Sequence, residues 1–394
     1  MDSKFCHHRT VLRLILMFLL ACCVRPPAAA AGQDFVPLFN GRDLSGWVNV
    51  NCAPETWAVR DGMIHCTGKP TGALRTPRQY ENFILELEWR HLSNGGNSGV
   101  FIWSSPIAAP GGPFLRSIEV QVLDNGYDVK GRNEWYTTHG DVFPIHGSTM
   151  NPFGRHNGKR SFPSEERSKS SPEWNHYRVV CTNGVIHLHV NGKQVSGGEN
   201  CNYRKGYIGL ESEGGPIDFR NIRIKELPSS NASPEVTAPT DDGYRSLFTG
   251  IDLRGWQTAS QAASRWQVNG ERLQIREQPA NEARTLWTTA EFGDVEVTVD
   301  CHPGSPAKGQ EPAWPEIQLR GCEDPACRVR LIGNQPDKYQ RFVISVKGRE
   351  VIARKDGEVT QRLTLGPSVP LRGALGLSDT GSGAEFMNLY VRER

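Results

Sequence analysis

The chain has 394 residues, more than one typical domain, so we expect two domains with separate cores. Its 45 basic and 43 acidic residues leave a net charge of +2 and are interspersed without a Lys/Arg-rich run, which argues against nucleic acid as a partner. Glycine (41) and proline (26) are frequent, and short aliphatic and aromatic runs end at Asn-Gly, Asp-Gly or Pro, a pattern typical of an all-β protein.

Residues 1–31 have the pattern of a signal peptide. Three basic residues precede an apolar run from Leu14 to Val24, which is too short to span a membrane comfortably. Cleavage after Ala31 would release a soluble exported protein, periplasmic or extracellular. The run Leu-Leu-Ala-Cys ending at Cys22 also fits a lipoprotein signal, so we expect membrane attachment only through a lipid anchor at Cys22.

Export makes disulfide bonds possible. Seven cysteines follow the signal segment, so at least one stays free. Sequence does not fix the connectivity. Three pairs of neighbours are candidates: Cys52 with Cys66, Cys181 with Cys201, and Cys322 with Cys327.

A motif from the start of the exported region returns in the second half of the chain. Residues 38–47 read Leu-Phe-Asn-Gly-Arg-Asp-Leu-Ser-Gly-Trp, and residues 247–256 read Leu-Phe-Thr-Gly-Ile-Asp-Leu-Arg-Gly-Trp. The correspondence continues through Glu-Val-Gln at 119–121 and Glu-Ile-Gln at 316–318 to similar closing motifs. We predict two copies of one β-domain, residues 32–227 and 243–394, joined by a polar, proline-containing linker at 228–242.

Alternation of apolar and polar residues in the first copy predicts half-buried antiparallel strands, clearest at Phe83 to Arg90. Asn-Gly turns at 183–184 and 191–192 predict consecutive hairpins, so the expected topology is a two-sheet sandwich. Between Leu123 and Trp174 the alternation gives way to a long polar segment with histidines and aromatics. Segments of this length in compact domains are usually functional or disordered, and its residue types favour function.

The strand pair at 94–103 and 118–124 is the predicted platform of the site. Alternation places Val120 and Val122 on one face and Glu119 and Gln121 on the other. A solvated face is the commoner explanation for a single strand Glu. The proximity in sequence of Asn97, Asp124 and the histidine-bearing segment favours the functional one.

Six motifs carry a family resemblance: Leu38 to Trp47, Gly96-Asn-Ser-Gly-Val100, Glu119-Val-Gln-Val-Leu-Asp124, Glu173-Trp-Asn175, Val190-Asn-Gly192 and Phe219-Arg-Asn-Ile222. Together they resemble the 3-keto-disaccharide hydrolase family, also described as 3-keto-glycoside 1,2-lyase and 3-keto-2-hydroxy-glucal hydratase domains. The resemblance covers roughly residues 35–227. It implies a jelly-roll sandwich of the concanavalin or laminin-G type that acts on sugars already oxidised at C3. The second copy keeps only the opening and closing motifs, so it shares the implied fold alone.

A ketone at C3 makes the C2 hydrogen acidic, so that a base can remove it and the enolate can expel the C1 substituent. This β-elimination needs a base near C2, a donor to the enolate oxygen and an acid at the leaving oxygen. The predicted catalytic residues are Glu119, His139, His146 and Asp124. The predicted substrate-binding residues are Arg90, Asn97, Gln121, Trp103 and Glu211. For each loop histidine, a solvated or backbone-bonded imidazole is an equal alternative.

No redox cofactor is implied, because no Gly-rich dinucleotide fingerprint follows a strand. A divalent cation held by Glu119, Asp124, His139 and Glu211 fits the donor types, although the spacing does not require it. The rival functions are an ordinary two-carboxylate glycoside hydrolase and a non-catalytic carbohydrate-binding module. In the second copy Glu316 and Gln318 lack catalytic partners, which predicts an accessory domain and an active chain even when it is cut near Leu227.

Overall fold

The structure is a computed structural model that describes residues 34–127, 134–259, 265–275, 285–304, 312–380 and 383–394. The predicted signal segment and Cys22 lie outside these ranges. The described residues contain no α-helix; they form strands β1–β27 and short 3-10 helices at Pro54–Thr56, Pro234–Val236 and Pro325–Cys327. Within these ranges, no helix is long and apolar enough to cross a membrane.

The first sandwich contains fifteen strands. They are β1 (Val36–Pro37), β2 (Val48–Val50), β3 (Trp57–Arg60), β4 (Met63–Cys66), β5 (Gly72–Arg75), β6 (Phe83–His91), β7 (Asn97–Ser104), β8 (Ser117–Leu123), β9 (Val142–Ile145), β10 (Thr149–Pro152), β11 (Asn175–Thr182), β12 (Val185–Val190), β13 (Lys193–Asn202), β14 (Tyr207–Ser212) and β15 (Ile217–Glu226).

These strands form two facing antiparallel sheets. The nine-stranded sheet has the order β10-β13-β12-β11-β6-β15-β4-β3, with β1 paired to β15, and the six-stranded sheet has the order β2-β5-β14-β7-β8-β9. Alternating apolar side chains of both sheets interdigitate between them, among them the fully buried Leu87, Val120 and Tyr177. Strands β9 and β10 lie inside the long segment that lost its alternation, so that segment is partly ordered by pairing with β8 and β13.

The second sandwich contains twelve strands. They are β16 (Arg245–Ser246), β17 (Trp266–Asn269), β18 (Arg272–Ile275), β19 (Thr285–Phe292), β20 (Val295–His302), β21 (Glu316–Gln318), β22 (Arg328–Arg330), β23 (Gln340–Lys347), β24 (Glu350–Lys355), β25 (Glu358–Thr364), β26 (Gly373–Ser378) and β27 (Glu385–Glu393).

These strands also form two sheets around a core of their own. One sheet has eight strands in the order β17-β18-β27-β20-β23-β24-β25, with β16 paired to β27, and the other has four in the order β19-β26-β21-β22. The prediction of an all-β protein with two tandem jelly-roll sandwiches is confirmed.

Residues 228–242, predicted as a linker, lie along the first sandwich. The backbone N–H groups of Arg204 and Ala238 donate to carbonyl oxygens of the opposite segment, at Val236 and Lys205. The buried Arg75 guanidinium donates to the Asp241 carboxylate at 2.6 Å. Residues 228–242 therefore pack against the first sandwich and do not form a free linker.

The two sandwiches share an apolar contact and form one compact unit from residue 34 to 394. Phe101, Ala108 and Leu115 of the first pack with Tyr390 of the second. Ala108 and Leu115 belong to the connection between β7 and β8, residues 105–116, which we call the bridging loop. The second sandwich therefore covers part of the outer face of the six-stranded sheet.

All seven cysteines of the described chain are free thiols, and six of them are buried. None of the three candidate disulfides is therefore formed in this structure.

Candidate active site

Strands β14, β7 and β8 lie side by side and bring three polar residues to one place. Gly99 is opposite Gln121, and Phe101 is opposite Glu119. Leu210 is opposite Val100, which places Glu211 beside Gly99. Because the intervening valines and leucine face the core, Glu119, Gln121 and Glu211 share the outer face of the sheet.

Gly99 lies between the carboxylates of Glu119 and Glu211. A Cβ atom at this position would lie 2.9 Å from Glu211 Oε2 and 3.0 Å from Glu119 Oε1. These two distances limit the separation of the carboxylate oxygens to about 6 Å, which overlaps the range of paired-carboxylate glycosidases. Only a residue without a side chain leaves this space open.

Both carboxyl groups favour the protonated form. Burial, with Glu213 and Asp141 nearby, raises the pKa of Glu119 to about 8, and Arg160 opposes the rise. Burial also raises the pKa of Glu211 well above its usual value, with Glu119 and Glu213 adding to the effect. Glu211 Oε2 is fully buried and accepts no hydrogen bond. A buried carboxyl pair with one unsatisfied oxygen is a costly arrangement of the kind found at functional sites.

A chain of polar side chains connects this pair to the long segment. Gln121 Nε2 donates to Asn97 Oδ1 at 3.0 Å, and Arg160 Nη1 donates to Gln121 Oε1 at 2.9 Å. Arg160 also pairs with the buried Asp141 carboxylate at 3.2 Å. The Arg160 guanidinium therefore places one positive charge near the buried acids Asp141 and Glu119.

Arg160 and Asp141 are site residues that the sequence analysis missed. Arg160 lies over the Phe143 ring, with its Cζ 3.3 Å from the ring centroid, and Phe143 is opposite Glu119 on β9. The sequence pattern that could have indicated β9 is the alternation of Val142, which is buried, with Phe143, which is half-buried. A four-residue strand is too short for such alternation to be distinguished from loop sequence.

Aromatic side chains form the rim of this site. Tyr127 packs edge-on against Tyr136 with ring centroids 5.9 Å apart, and the nearby Trp135 is 75% exposed. Asn97 Nδ2 donates to Glu213, whose charge also raises the pKa of Tyr127 after the larger effect of burial. Exposed aromatic rings beside polar groups are the usual means of binding sugar rings.

Asp124, predicted to be catalytic, organises turns instead. Its carboxylate accepts backbone N–H groups of Gly95 at 2.8 Å, Gly126 at 2.9 Å and Ser171 at 2.7 Å. The side chain is 1% exposed, and these three bonds occupy both oxygens. The β8 strand ends one residue earlier, so alternation no longer directs this side chain to the outer face.

The two predicted histidines lie on the long segment, where His139 contacts residues of that segment and His146 contacts the bridging loop. His139 shares a 2.9 Å hydrogen bond with Ser168 Oγ and lies 3.6 Å from the Glu166 carboxylate. His146 packs on Phe114, with ring centroids 5.9 Å apart. Burial lowers the pKa of each imidazole. None of these contacts joins an imidazole to Glu119 or Glu211.

Arg90, predicted to bind substrate, belongs to the other sheet. It lies on β6 of the nine-stranded sheet, donates to Asp218 at 2.9 Å and stacks on Trp174. Trp89 beside it faces the core, so alternation directs Arg90 away from the six-stranded sheet. The structure therefore does not bring Arg90 to the carboxylate pair, because β6 joins the other sheet, which sequence proximity did not reveal.

Trp103, also predicted to bind substrate, is fully buried in the core. Its Nε1 donates to the Glu81 carbonyl at 2.8 Å, and its ring packs edge-on against Phe83. The pairing of β7 with β14 shifts by one residue near this point, and Trp103 has a left-handed φ of 54°. That bulge reverses the alternation that would have exposed the ring.

The predicted cation set is not brought together. Glu119 and Glu211 are neighbours, but Asp124 binds backbone amides and His139 binds Ser168. Across the described ranges, no group of three or more His, Cys, Asp or Glu side chains is arranged to hold a metal ion.

The corresponding sheet of the second sandwich differs in two ways. Strand β21 lies next to β26, the position that β7 holds next to β14, so Glu316 is not the structural counterpart of Glu119. Glu316 also pairs with two arginines, Arg328 at 3.7 Å and Arg330 at 3.4 Å, and not with a second acid. This carboxylate is neutralised and is not part of an acid pair.

The comparisons with known proteins match the half of the chain that contains these residues. The sequence profile of the 3-keto-alpha-glucoside-1,2-lyase-like domain family matches residues 34–225. This part of the chain belongs to that family. All the residues of the carboxylate site lie within the lyase-like domain. A 3-keto-disaccharide hydrolase of Bacteroides thetaiotaomicron is 25% identical over 251 residues, covering 50% of this chain and 79% of that protein.

Two solved structures resemble about half of the chain. One, from Parabacteroides distasonis, is provisionally named a glycosyl hydrolase; it is 21% identical, covers 49% of this chain and 94% of its own, and has a TM-score of 0.39. The other is the carbohydrate-binding module CBM66 of Bacillus subtilis, at 15% identity, 46% and 96% coverage, and a TM-score of 0.33.

Proposed function

We propose that the lyase-like domain cleaves 3-keto-glycosides by β-elimination across C1 and C2, and that water then adds to the unsaturated product to complete a net hydrolysis. The observation that carries this proposal is the pair of buried carboxyl groups facing each other across Gly99. The family membership supplies the substrate class, because relatives are named for 3-keto sugars.

In this mechanism the two carboxyl groups take opposite roles. Glu119 has a pKa of about 8 and is the base that removes the C2 proton, while Glu211 stays protonated and gives its proton to the leaving C1 oxygen. The electron pair of the C2–H bond forms the enolate with the C3 oxygen and then the C1–C2 double bond as the C1–O bond breaks. Both protons and the leaving alcohol are thereby accounted for.

The enolate needs a donor that is already in place. The Arg160 guanidinium and the Gln121 amide are held on the same face of the sheet and supply the positive charge and the N–H groups for a developing C3 oxyanion. Arg90, predicted only as a substrate-binding residue, has no part in this step.

An ordinary glycoside hydrolase is the second candidate, since a carboxylate separation of at most about 6 Å also fits a retaining mechanism. Incubation of the purified full chain with a matched pair of glycosides, one oxidised at C3 and one not, separates the two, with products identified by NMR. We expect the 3-keto-glycoside to be consumed and its parent to remain. Equal consumption of both would establish the ordinary hydrolase.

We also propose that the protein works outside the cytoplasm, on the basis of the signal pattern at residues 1–31. Isolation of the exported protein followed by N-terminal sequencing and mass spectrometry tests this. A new N-terminus after Ala31 supports soluble export, and an acylated Cys22 supports a lipid anchor. An uncleaved Met1 would contradict export by either route.

A further inference from the structure

The second sandwich recognises the bridging loop through its backbone. The Asn388 amide donates to the carbonyl oxygens of Ala109 at 3.1 Å and Gly112 at 2.8 Å. The Asp300 carboxylate accepts the backbone N–H of Gly111 at 2.9 Å. All three bonds are made to backbone atoms of the loop, so they depend on its backbone conformation and not on its side chains.

Two further bonds hold the start of the same loop. Arg341 Nη2 donates to the Ala108 carbonyl at 2.8 Å, and the Ala108 N–H donates to the Tyr390 hydroxyl at 3.2 Å. Arg341 is fixed by two bonds to Asp300, at 2.7 and 2.9 Å, and Asp300 is fully buried. The second sandwich thus presents a preorganised receptor for this loop.

The bridging loop in turn covers the apolar side of the carboxylate site. Phe114 packs edge-on against Phe101, with ring centroids 6.1 Å apart. Phe101 is opposite Glu119 on the neighbouring strand, where paired Cβ atoms lie about 5 Å apart. Leu115 lies with Phe101 over Gly209, which precedes Glu211 on β14.

We infer that Asp300, Asn388 and Arg341 are positioning residues for the active site. By holding the bridging loop they keep Phe101 and Phe114 packed beside Glu119 and exclude water from its apolar side. The second sandwich is then part of the catalytic unit and not a detachable accessory.

Loosening the bridging loop should change the titration of Glu119. The cause of that change is clear only if the charged groups around Glu119 stay in place. The groups that act on Glu119 are Arg160, Glu213 and Asp141. Glu119 in turn acts on Glu211, which faces it across Gly99. From the second sandwich, Glu271 acts on Glu213. None of these groups contacts Asn388, so a variant there changes the covering of Glu119 and leaves its charged neighbours in place.

The test is Asn388→Gly in the full chain. Asn388 has a left-handed φ of 49°, which glycine adopts without strain, so the variant removes the amide and spares the backbone. The matched control is Asn221→Gly at the corresponding motif of the first sandwich. Asn221 has a φ of 53° and lines an open groove of about 500 Å³ on the nine-stranded sheet, away from the bridging loop.

We expect amide exchange of Ala108 and Gly111 to become at least about tenfold faster in Asn388→Gly and to stay unchanged in Asn221→Gly. The midpoint of the Glu119 carboxyl titration, followed by ¹³C NMR, should fall by about one unit as water reaches it. With a 3-keto-glycoside, kcat should fall more than KM rises. Tyr390→Phe removes the hydroxyl that accepts from Ala108 N–H and bonds the Asn51 side chain, and it should shift each quantity less in the same direction.

Unchanged exchange in Asn388→Gly would overturn the inference, and so would faster exchange with an unchanged Glu119 titration. The catalytic part of the inference rests on the proposed function, but the exchange and titration measurements do not. If the parent chain fails to consume a 3-keto-glycoside, the proposed function fails. Both of these measurements still decide whether Asp300, Asn388 and Arg341 are positioning residues.

Discussion

Glu119 and Glu211 face each other in a setting that opposes the ionisation of both. Burial is the main cause for both, and at Glu211 the negative charge of Glu119 across Gly99 adds to it. Such a pair lowers the stability of the fold at neutral and alkaline pH, and proteins accept that cost where chemistry needs a carboxyl group that holds its proton near neutrality.

Replacement of Glu119 by Gln should lower turnover of a 3-keto-glycoside at least about a hundredfold, because the amide has nearly the same shape but cannot accept the C2 proton. Steady-state kinetics on folded protein measures this. Glu316→Gln is the matched control, since Glu316 lies on an outer sheet face of the second sandwich between two arginines. Activity of Glu119→Gln within a few-fold of the parent would assign Glu119 to a structural role.

The pKa of Glu119 also predicts how stability depends on pH. The folded pKa of about 8 lies above the ordinary value of 4.5, so the folded state binds the proton more tightly than the unfolded chain. The free energy of unfolding should therefore decline as pH rises from about 5 to about 9, and Glu119→Gln should flatten that decline. Urea unfolding at pH 5, 7 and 9 measures it. A steeper decline in the variant would contradict the assigned pKa.

Arg160 is expected to favour both the ionised form of Glu119 and the enolate. Arg160→Gln should lower kcat at pH 7 by at least about tenfold and move the rising limb of the pH profile upward, because the opposing positive charge is lost. Arg155→Gln is the control, since Arg155 is exposed on the same segment and lies over Phe162. Equal profiles for the two variants would exclude Arg160 from the site.

At the scale of strands, the alternation of β8 was enough to predict that Glu119 and Gln121 share the face opposite Val120 and Val122. It was not enough to predict which strands flank β8, since hydrogen-bonded neighbours such as β14 come from far along the chain. This limit explains why Arg90 lies apart from Glu119. A bulge explains the placement of Trp103 and a strand end that of Asp124, and neither leaves a clear pattern in the sequence.

The β7 strand supplies the space that the reaction needs. Gly99→Ala would place a methyl group within about 3 Å of both carboxyl groups, so we expect turnover to fall at least about tenfold while the fold is retained. Gly215→Ala is the control, because a Cβ there meets ordinary contacts, the nearest being 3.4 Å away. Kinetics together with thermal melting separate the two effects. Full activity in Gly99→Ala would show that substrate does not occupy this space.

At the scale of the whole molecule, two sandwiches of similar architecture differ in the side chains on their smaller sheets. The first presents an acid pair, while in the second Glu316 is held by Arg328 and Arg330. The sequence predicted both sandwiches. It treated the second as detachable, because the contacts made by Asp300 and Asn388 join residues far apart in the chain.

The central claim is that this protein removes the hydrogen at C2 of a 3-keto sugar. The most direct measurement is the fate of deuterium placed at C2 of a 3-keto-glycoside, followed by NMR and mass spectrometry during turnover by the full chain. The account predicts that the label passes to solvent and that the isotope slows the first step. Retention of the full label at C2 in every product would contradict elimination.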